Sequence, residues 1–241
     1  MRDKIRNTLK LVTMLTNCIL IIVALFITFA FINVNREQMT AANATFNGTI
    51  YAGDQNSNKV SLMINVYWGN EHLEDMLKTF EKYNVKTTFF LGGNWVTDNQ
   101  ELALKIKKQG HEIASHATTH ADMGKLDFSQ NYKEIKTCHD IVLQNLNIEM
   151  NLLAPPSGSY NKHTTSAAEA LGYKTIMWTR DTIDWRDRDM NIIYSRAVNN
   201  MQGGDLVLMH PTKETAEALP LILEFMKNNG FQATTVTDNI S

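Results

Sequence analysis

Two imidazoles four residues apart stand in Ser115-His116-Ala117-Thr118-Thr119-His120. On a helical turn, positions i and i+4 share one face, close enough for both rings to hold one metal ion. Just ahead, Glu112-Ile113-Ala114 reads as the end of a buried strand. Parallel α/β folds place their chemistry at that end of a strand. The H-x-x-x-H spacing alone is weak, because one His could cap a helix while the other faces solvent.

Four other stretches put polar or aromatic residues directly after apolar runs. They are Ile64-Asn65-Val66-Tyr67-Trp68-Gly69, the Ala154–Tyr160 segment with Pro155-Pro156, Asp181-Thr182-Ile183-Asp184-Trp185, and Leu206-Val207-Leu208-Met209-His210. Each has a plain structural reading. Pro155-Pro156 can be a rigid turn, Asp181 a helix cap, and His210 a hydrogen-bonded core residue. Five such stretches on one side of one sheet are harder to assign to accident. Asp122 reads as a surface aspartate, with a stand-in metal ligand as the sharper alternative. His72, His111, His139 and His163 read as solvated, and Arg186-Asp187-Arg188-Asp189 as an exposed charged face.

These stretches need a scaffold. Apolar runs fit strands at Val60–Val66, Thr87–Leu91, Glu112–Ser115, Asn151–Pro155, Thr175–Thr179, Leu206–Met209 and Gln232–Val236. Between them lie segments of helical spacing: Leu73, Met76, Leu77 and Phe80; Leu102, Leu104 and Ile106; Leu219, Leu221, Ile222, Leu223 and Phe225. Gly110, Gly172 and Gly230 fall where helices would end. About seven strand-helix units predict an α/β fold, a distorted (β/α) barrel of parallel strands, with an open doubly wound sheet as runner-up. No glycine-rich nucleotide loop appears. The twelve methionines are interleaved in apolar runs and read as core filler.

The N-terminal part has a different character. No charge occurs between Leu11 and Asn35, and Arg2, Lys4, Arg6 and Lys10 precede that run. Residues 1–35 therefore read as a cytoplasmic basic stub and a transmembrane signal-anchor, with the membrane engaged through residues 11–35 and the rest of the chain outside. A cleaved signal peptide ending near Ala42-Asn43-Ala44 is the alternative. Residues 36–58 are polar and aperiodic and read as a tether; residues 59–241 form the domain. Cys18 and Cys138 fall in different parts, which argues against an intrachain disulfide. A net charge of −2 gives no basic excess and argues against a nucleic-acid partner.

The order of the five stretches resembles the polysaccharide deacetylase (NodB-homology) family, carbohydrate esterase family 4. The Trp-Gly pair in the first stretch is most like its sporulation-associated branch. The resemblance covers roughly Lys59 to Thr237. It implies a distorted barrel that removes acetyl groups from N-acetylated sugars of a cell-wall glycan, peptidoglycan or chitin-like, with a divalent metal such as zinc. It further implies that His116 and His120 are metal ligands, that His210 is the general acid, and that Asp184 orients it. Trp185, Trp68, Pro156, Gly158 and Tyr160 would contact the sugar, with Gly158 admitting close backbone approach.

The departures matter as much. The family's catalytic base is an Asp at the position of Asn65, and an amide accepts no proton near neutral pH. The Arg that partners that base is here Ala154, and Val66 stands where many members place a third metal ligand. With two imidazoles left, the metal would be held weakly or lost. Two functions are therefore expected: a glycan- or partner-binding module impaired in catalysis, or a working metal-dependent N-deacetylase.

Overall fold

The computed structural model describes residues 48–241 continuously, together with Thr45, Phe46 and seven isolated helical residues between Met14 and Phe26. The chain divides into two compact units, Met1–Ala42 and Asn43–Ser241, and the second is described below. The anchor expected over residues 11–35 lies, but for those seven residues, outside the described ones, as do Cys18 and the flanking basic residues. Among the described residues no helix is long and apolar enough to cross a membrane.

The domain is built on ten strands: β1 (Thr45–Phe46), β2 (Thr49–Ile50), β3 (Lys59–Val66), β4 (Thr88–Leu91), β5 (Glu112–Ser115), β6 (Leu152–Leu153), β7 (Lys174–Ile176), β8 (Arg180–Asp181), β9 (Leu206–Met209) and β10 (Gln232–Thr234). The sheet order is β1-β2-β7-β6-β5-β4-β3-β9-β8, with β10 also on β3. Every pairing is parallel except the β1–β2 hairpin. Buried strands of such sheets are continuously apolar because both faces are covered. Lys59–Val66 is buried at every position after Lys59 and apolar there but for Ser61 and Asn65.

The sheet curls without closing. Strands β7 and β8 lie far apart in the sheet order, yet only Met177, Trp178 and Thr179 separate them in the chain. Four residue steps span at most about 14 Å, so the sheet must curl until β7, which carries the β1–β2 hairpin on its outer side, comes close to β8. The expectation of a parallel, barrel-like α/β sheet is met in this half-barrel form. Residues 45–58, read as tether, differ from expectation: β2 hydrogen-bonds alongside β7, extending the sheet. Two-residue strands leave too little period to be seen in sequence.

Alternation along the strands sorts the core into an outer and an inner set. Leu62, Ile64, Phe89, Leu91, Val207 and Met209 pack outward with the helices. Met63, Phe90, Ala114, Leu152, Ile176 and Leu206 fill the interior. Helix α1 (Asn70–Lys82) buries Leu73, Met76, Leu77 and Phe80, as its spacing predicts. Two further helices, α2 (Gly93–Asp98) and α3 (Gln100–Lys108), follow β4. In α3 it is Ala103 and Ile106 that are fully buried, while Leu102 and Leu104 pack at the margin. Helix α4 (Phe128–Leu146) opens on a capping box of Asp127 and Gln130. Helices α5 (Lys162–Ala170), α6 (Met190–Val198) and α7 (Lys213–Asn228) complete the outer layer, with Leu221 of α7 turned to solvent. Gly110, Gly172 and Gly230 all adopt positive φ after helices, as expected.

Candidate functional site

Register brings the strand ends level. Val66 lies opposite Leu91, Leu91 opposite Ser115, and Ser115 opposite Leu153, while Ile64 faces Met209 on the other side. The next residues, Tyr67-Trp68, Gly92, His116, Ala154 and His210, therefore emerge at one mouth. Alternation does the rest: two positions beyond inward-facing Met63, Ala114 and Leu152 come Asn65, His116 and Ala154.

His116 is buried, and its Nδ1–H donates to the Ala154 carbonyl at 2.8 Å, which leaves Nε2 free. Burial lowers its pKa to about 3, with His120 and His210 adding to the effect against the opposing hydrogen bond. The ring is thus a neutral imidazole, the form that ligates metal. His120 is also shifted down, mainly by burial, and its ring centroid lies 5.1 Å from that of His116.

The expected helical turn is absent. Residues 116–120 form a loop in which Ala117 and His120 have φ of 59° and 60°, outside any right-handed helix. What holds it is Glu134 of α4, which no local sequence signal marks. Its carboxylate accepts from the Thr118 and Thr119 N–H groups, both at 2.9 Å, and from Thr119 Oγ1 at 2.8 Å. Ser157 (φ 54°) and Ile183 (φ 53°) are strained likewise in the other mouth loops. Such strain on a β-branched residue is uncommon and persists only where surroundings over-determine it.

His210 and Asp184 are joined as expected. Asp184 is fully buried; its Oδ1 accepts from His210 Nδ1 at 2.8 Å and its Oδ2 from the His210 backbone N–H at 2.6 Å. Thr215 Oγ1 donates to the same Oδ2 at 2.6 Å. Trp68 stacks on His210 at 5.7 Å with the ring planes 7° apart. Trp185 is 52% exposed at the rim, a large apolar face open to solvent.

Other residues fall differently. Pro156 is buried, and the Tyr160 hydroxyl bonds that of Tyr51 at 2.6 Å. A Cβ on Gly158 would lie 2.7 Å from Trp178 Cη2, so a packed indole occupies the space assigned to a ligand. Asp122 pairs with Lys125 at 2.9 Å and accepts from Ser159, which keeps it in a surface network. His111 and His139 are not solvated. His111 is 6% exposed between Phe80 and Phe89, and His139 Nδ1 bonds the Tyr173 hydroxyl at 2.7 Å. Asp181 does not cap a helix; it lies in β8 and accepts from the Ile183 N–H at 2.8 Å. Asp187 joins Arg186 to Arg196, and Asp189 caps α6, so the charged run is partly structural.

Asn65 is 3% exposed and its Oδ1 has no hydrogen-bond partner. A buried acceptor left unpaired costs about 1–3 kcal/mol, which a water or cation would offset. Two imidazoles and one amide oxygen fit part of a divalent-ion shell. Among the described residues, no three His, Cys, Asp or Glu side chains gather to complete it.

Strands that curl into a half-barrel, with imidazoles on the loops at their carboxyl ends, define the class of α/β barrels that carry chemistry at that mouth. Within that class the chain belongs to the polysaccharide deacetylase family, whose model matches residues 52–176. It is 40% identical to the uncharacterized protein YlxY of Bacillus subtilis over 189 residues, 78% of this chain and 59% of that one. It is 30% identical to the peptidoglycan-N-acetylglucosamine deacetylase PgdA of Listeria monocytogenes, over 68% of this chain and 34% of that one. The chain thus spans under two thirds of these relatives. Among solved structures, BA3943, a family 4 pseudoenzyme from Bacillus anthracis, superposes with a TM-score of 0.79 at 34% identity, covering 82% of this chain and 70% of that one. A mutant of BA3943 described as having restored enzymatic activity superposes equally well, at 32% identity.

Proposed function

We propose that this domain is a glycan-binding module of the cell wall, derived from a deacetylase and impaired in catalysis. The observation that carries this reading is Asn65. Hydrolysis of an acetamide needs a group to take a proton from water, and an amide cannot. Losing a positioned base costs about 10²–10⁴ in rate. Asp184 offers no substitute, since its two oxygens already receive three hydrogen bonds from His210 and Thr215. The likeness to a pseudoenzyme supports the reading, and the name of the Listeria relative suggests the glycan, a peptidoglycan rich in N-acetylglucosamine.

His116 and His120 would hold a zinc-like ion, weakly for want of further ligands. Such an ion, when bound, polarises a carbonyl and makes water more acidic. His210, kept in place by Asp184, could hand a proton to a departing amine, and this intact pair is what favours the second reading, a working metal-dependent N-deacetylase. The purified chain should release no acetate from N-acetylglucosamine oligomers with zinc or cobalt supplied. It should bind insoluble peptidoglycan, lose that binding in Trp185→Ala, and lose its metal to a chelator. Steady acetate release by the unaltered chain would establish the second reading and remove the first. An inert chain that also ignores peptidoglycan would remove both.

We further propose that residues 11–35 anchor the chain, with the N-terminus in the cytoplasm and the domain outside. The basic residues before the uncharged run support this orientation. Protease added to intact protoplasts should digest the domain and spare the N-terminus. Recovery of the domain free in the medium, beginning near Thr45, would show a cleaved signal instead.

A further inference from the structure

A second concavity of about 380 Å³ opens beside the imidazole mouth, between the segment after β3 and helix α2. We propose that it binds the protonated amine of a de-N-acetylated hexosamine within a glycan chain. The proposal rests on the reading of the domain as a glycan-binding module and names what that module selects.

The lining carries two carboxylates, Glu71 and Asp98, and no lysine or arginine. Asp98 is exposed at the junction of α2 and α3, and no hydrogen bond or ion pair to its carboxylate is formed among the described residues. A cation in the hollow would give it a partner. Glu71 has only the His72 imidazole nearby, at 3.8 Å. Arg188 lies over the Trp68 ring at 5.9 Å, and its guanidinium is already turned to Glu214 at 3.6 Å.

The remaining walls suit a sugar. Trp68 is 39% exposed and gives an apolar surface for ring C–H groups, continuous with the site because it also stacks on His210. The amides are fixed in advance: Trp95 Nε1–H donates to Asn70 Oδ1 at 2.6 Å, Asn70 Nδ2 to Asn99 Oδ1 at 2.6 Å, and Asn99 Nδ2 to the Trp95 carbonyl at 2.9 Å. Groups held in place before binding lose little freedom when the ligand arrives. An acetamido group has no charge to offer the carboxylates. The free amine is what N-deacetylation of a hexosamine leaves behind. The cavity therefore places this protein after a reaction of that class, as a reader of its product.

The test compares glucosamine pentamer with N-acetylglucosamine pentamer by titration calorimetry on the full chain. The glucosamine oligomer should bind about ten-fold tighter, the scale of two modest ion pairs, and added salt should erode the difference. Glu71→Gln with Asp98→Asn should level the two affinities by weakening the glucosamine oligomer; Asp98→Asn alone should remove part of the preference. Equal affinities in the unaltered chain, or a preference that survives the double change, would overturn the inference while leaving the glycan-binding reading standing. Oligolysine bound as tightly as the glucosamine oligomer would overturn the sugar assignment. Failure of both oligomers to bind would remove the broader reading and the inference with it.

Discussion

Asn65→Asp combined with Ala154→Arg should raise acetate release from N-acetylglucosamine oligomers by about 10²–10⁴ over the unaltered chain when a divalent metal is supplied. Both positions are buried, Asn65 in β3 two residues after Met63 and Ala154 just past β6 two residues after Leu152. The two changes need each other. An aspartate alone at position 65 would enter a site that excludes solvent, and burial would push its pKa up, away from the ionised form a base requires. An arginine alone at position 154 would be a charge among Met63, Phe90 and Ile176 without a mate, a defect worth several kcal/mol. Together they form an ion pair that keeps the carboxylate charged. Adding His210→Ala should abolish the gain, because the departing amine then finds no proton. A double variant that folds, holds metal and stays inactive would show that the groove, and not the missing base, is the block.

Acid should destabilise the domain well before its carboxylates titrate, and His111 should account for a large part of it. The ring accepts the Thr87 N–H on Nδ1 at 3.3 Å and packs edge-on to Phe80 and Phe89, with centroids 5.4 and 5.0 Å away. Burial, aided by Lys86, lowers its pKa to about 4. Above an unfolded-state pKa of about 6.5 the imidazole is neutral in both states and has no effect. As pH falls from about 6.5 to about 4 the unfolded chain takes the proton first, so stability declines by up to about 1.4 kcal/mol per pH unit. The loss from this group should reach about 2–3 kcal/mol. For a domain of this size that is roughly 5–10 °C in Tm. Denaturant melts at pH 7 and pH 4.5 should show the decline, and His111→Gln should flatten it appreciably. His116, lowered by burial in the same direction, should supply most of what remains. A His111→Gln chain with an unchanged slope would overturn the assignment.

What the sequence revealed follows the length and chemistry of each signal. Strands β5 and β9 matched their expected limits because their apolar centres, Ile113-Ala114 and Leu206–Met209, are bounded by polar residues on both sides. The charged pair of β8 and the two-residue strands of the hairpin carried no period to read. Spacing found the His116 and His120 pair but misjudged its backbone, since left-handed φ at an alanine and a histidine leaves no trace in residue type. Motif order located Asp184 and His210. Nothing local pointed to Glu134, which acts from a helix begun after the loop it secures. His111 was misread because its burial depends on Phe80 and Phe89, which belong to other elements.

The hairpin at the start of the domain also sets how the fold meets mechanical load. A pull on the chain ahead of Thr45 first peels β1 from β2, an antiparallel pair only two residues long. Such a pair opens one hydrogen bond at a time, so it yields at low force. Tension then arrives at Thr49, whose strand runs parallel to β7 in register with Thr175 and Ile176. Two residues later the Tyr51 hydroxyl is bonded to Tyr160, on the loop that follows β6. The short hairpin is thus slack that gives way first, and the mouth loops feel tension only after it is spent.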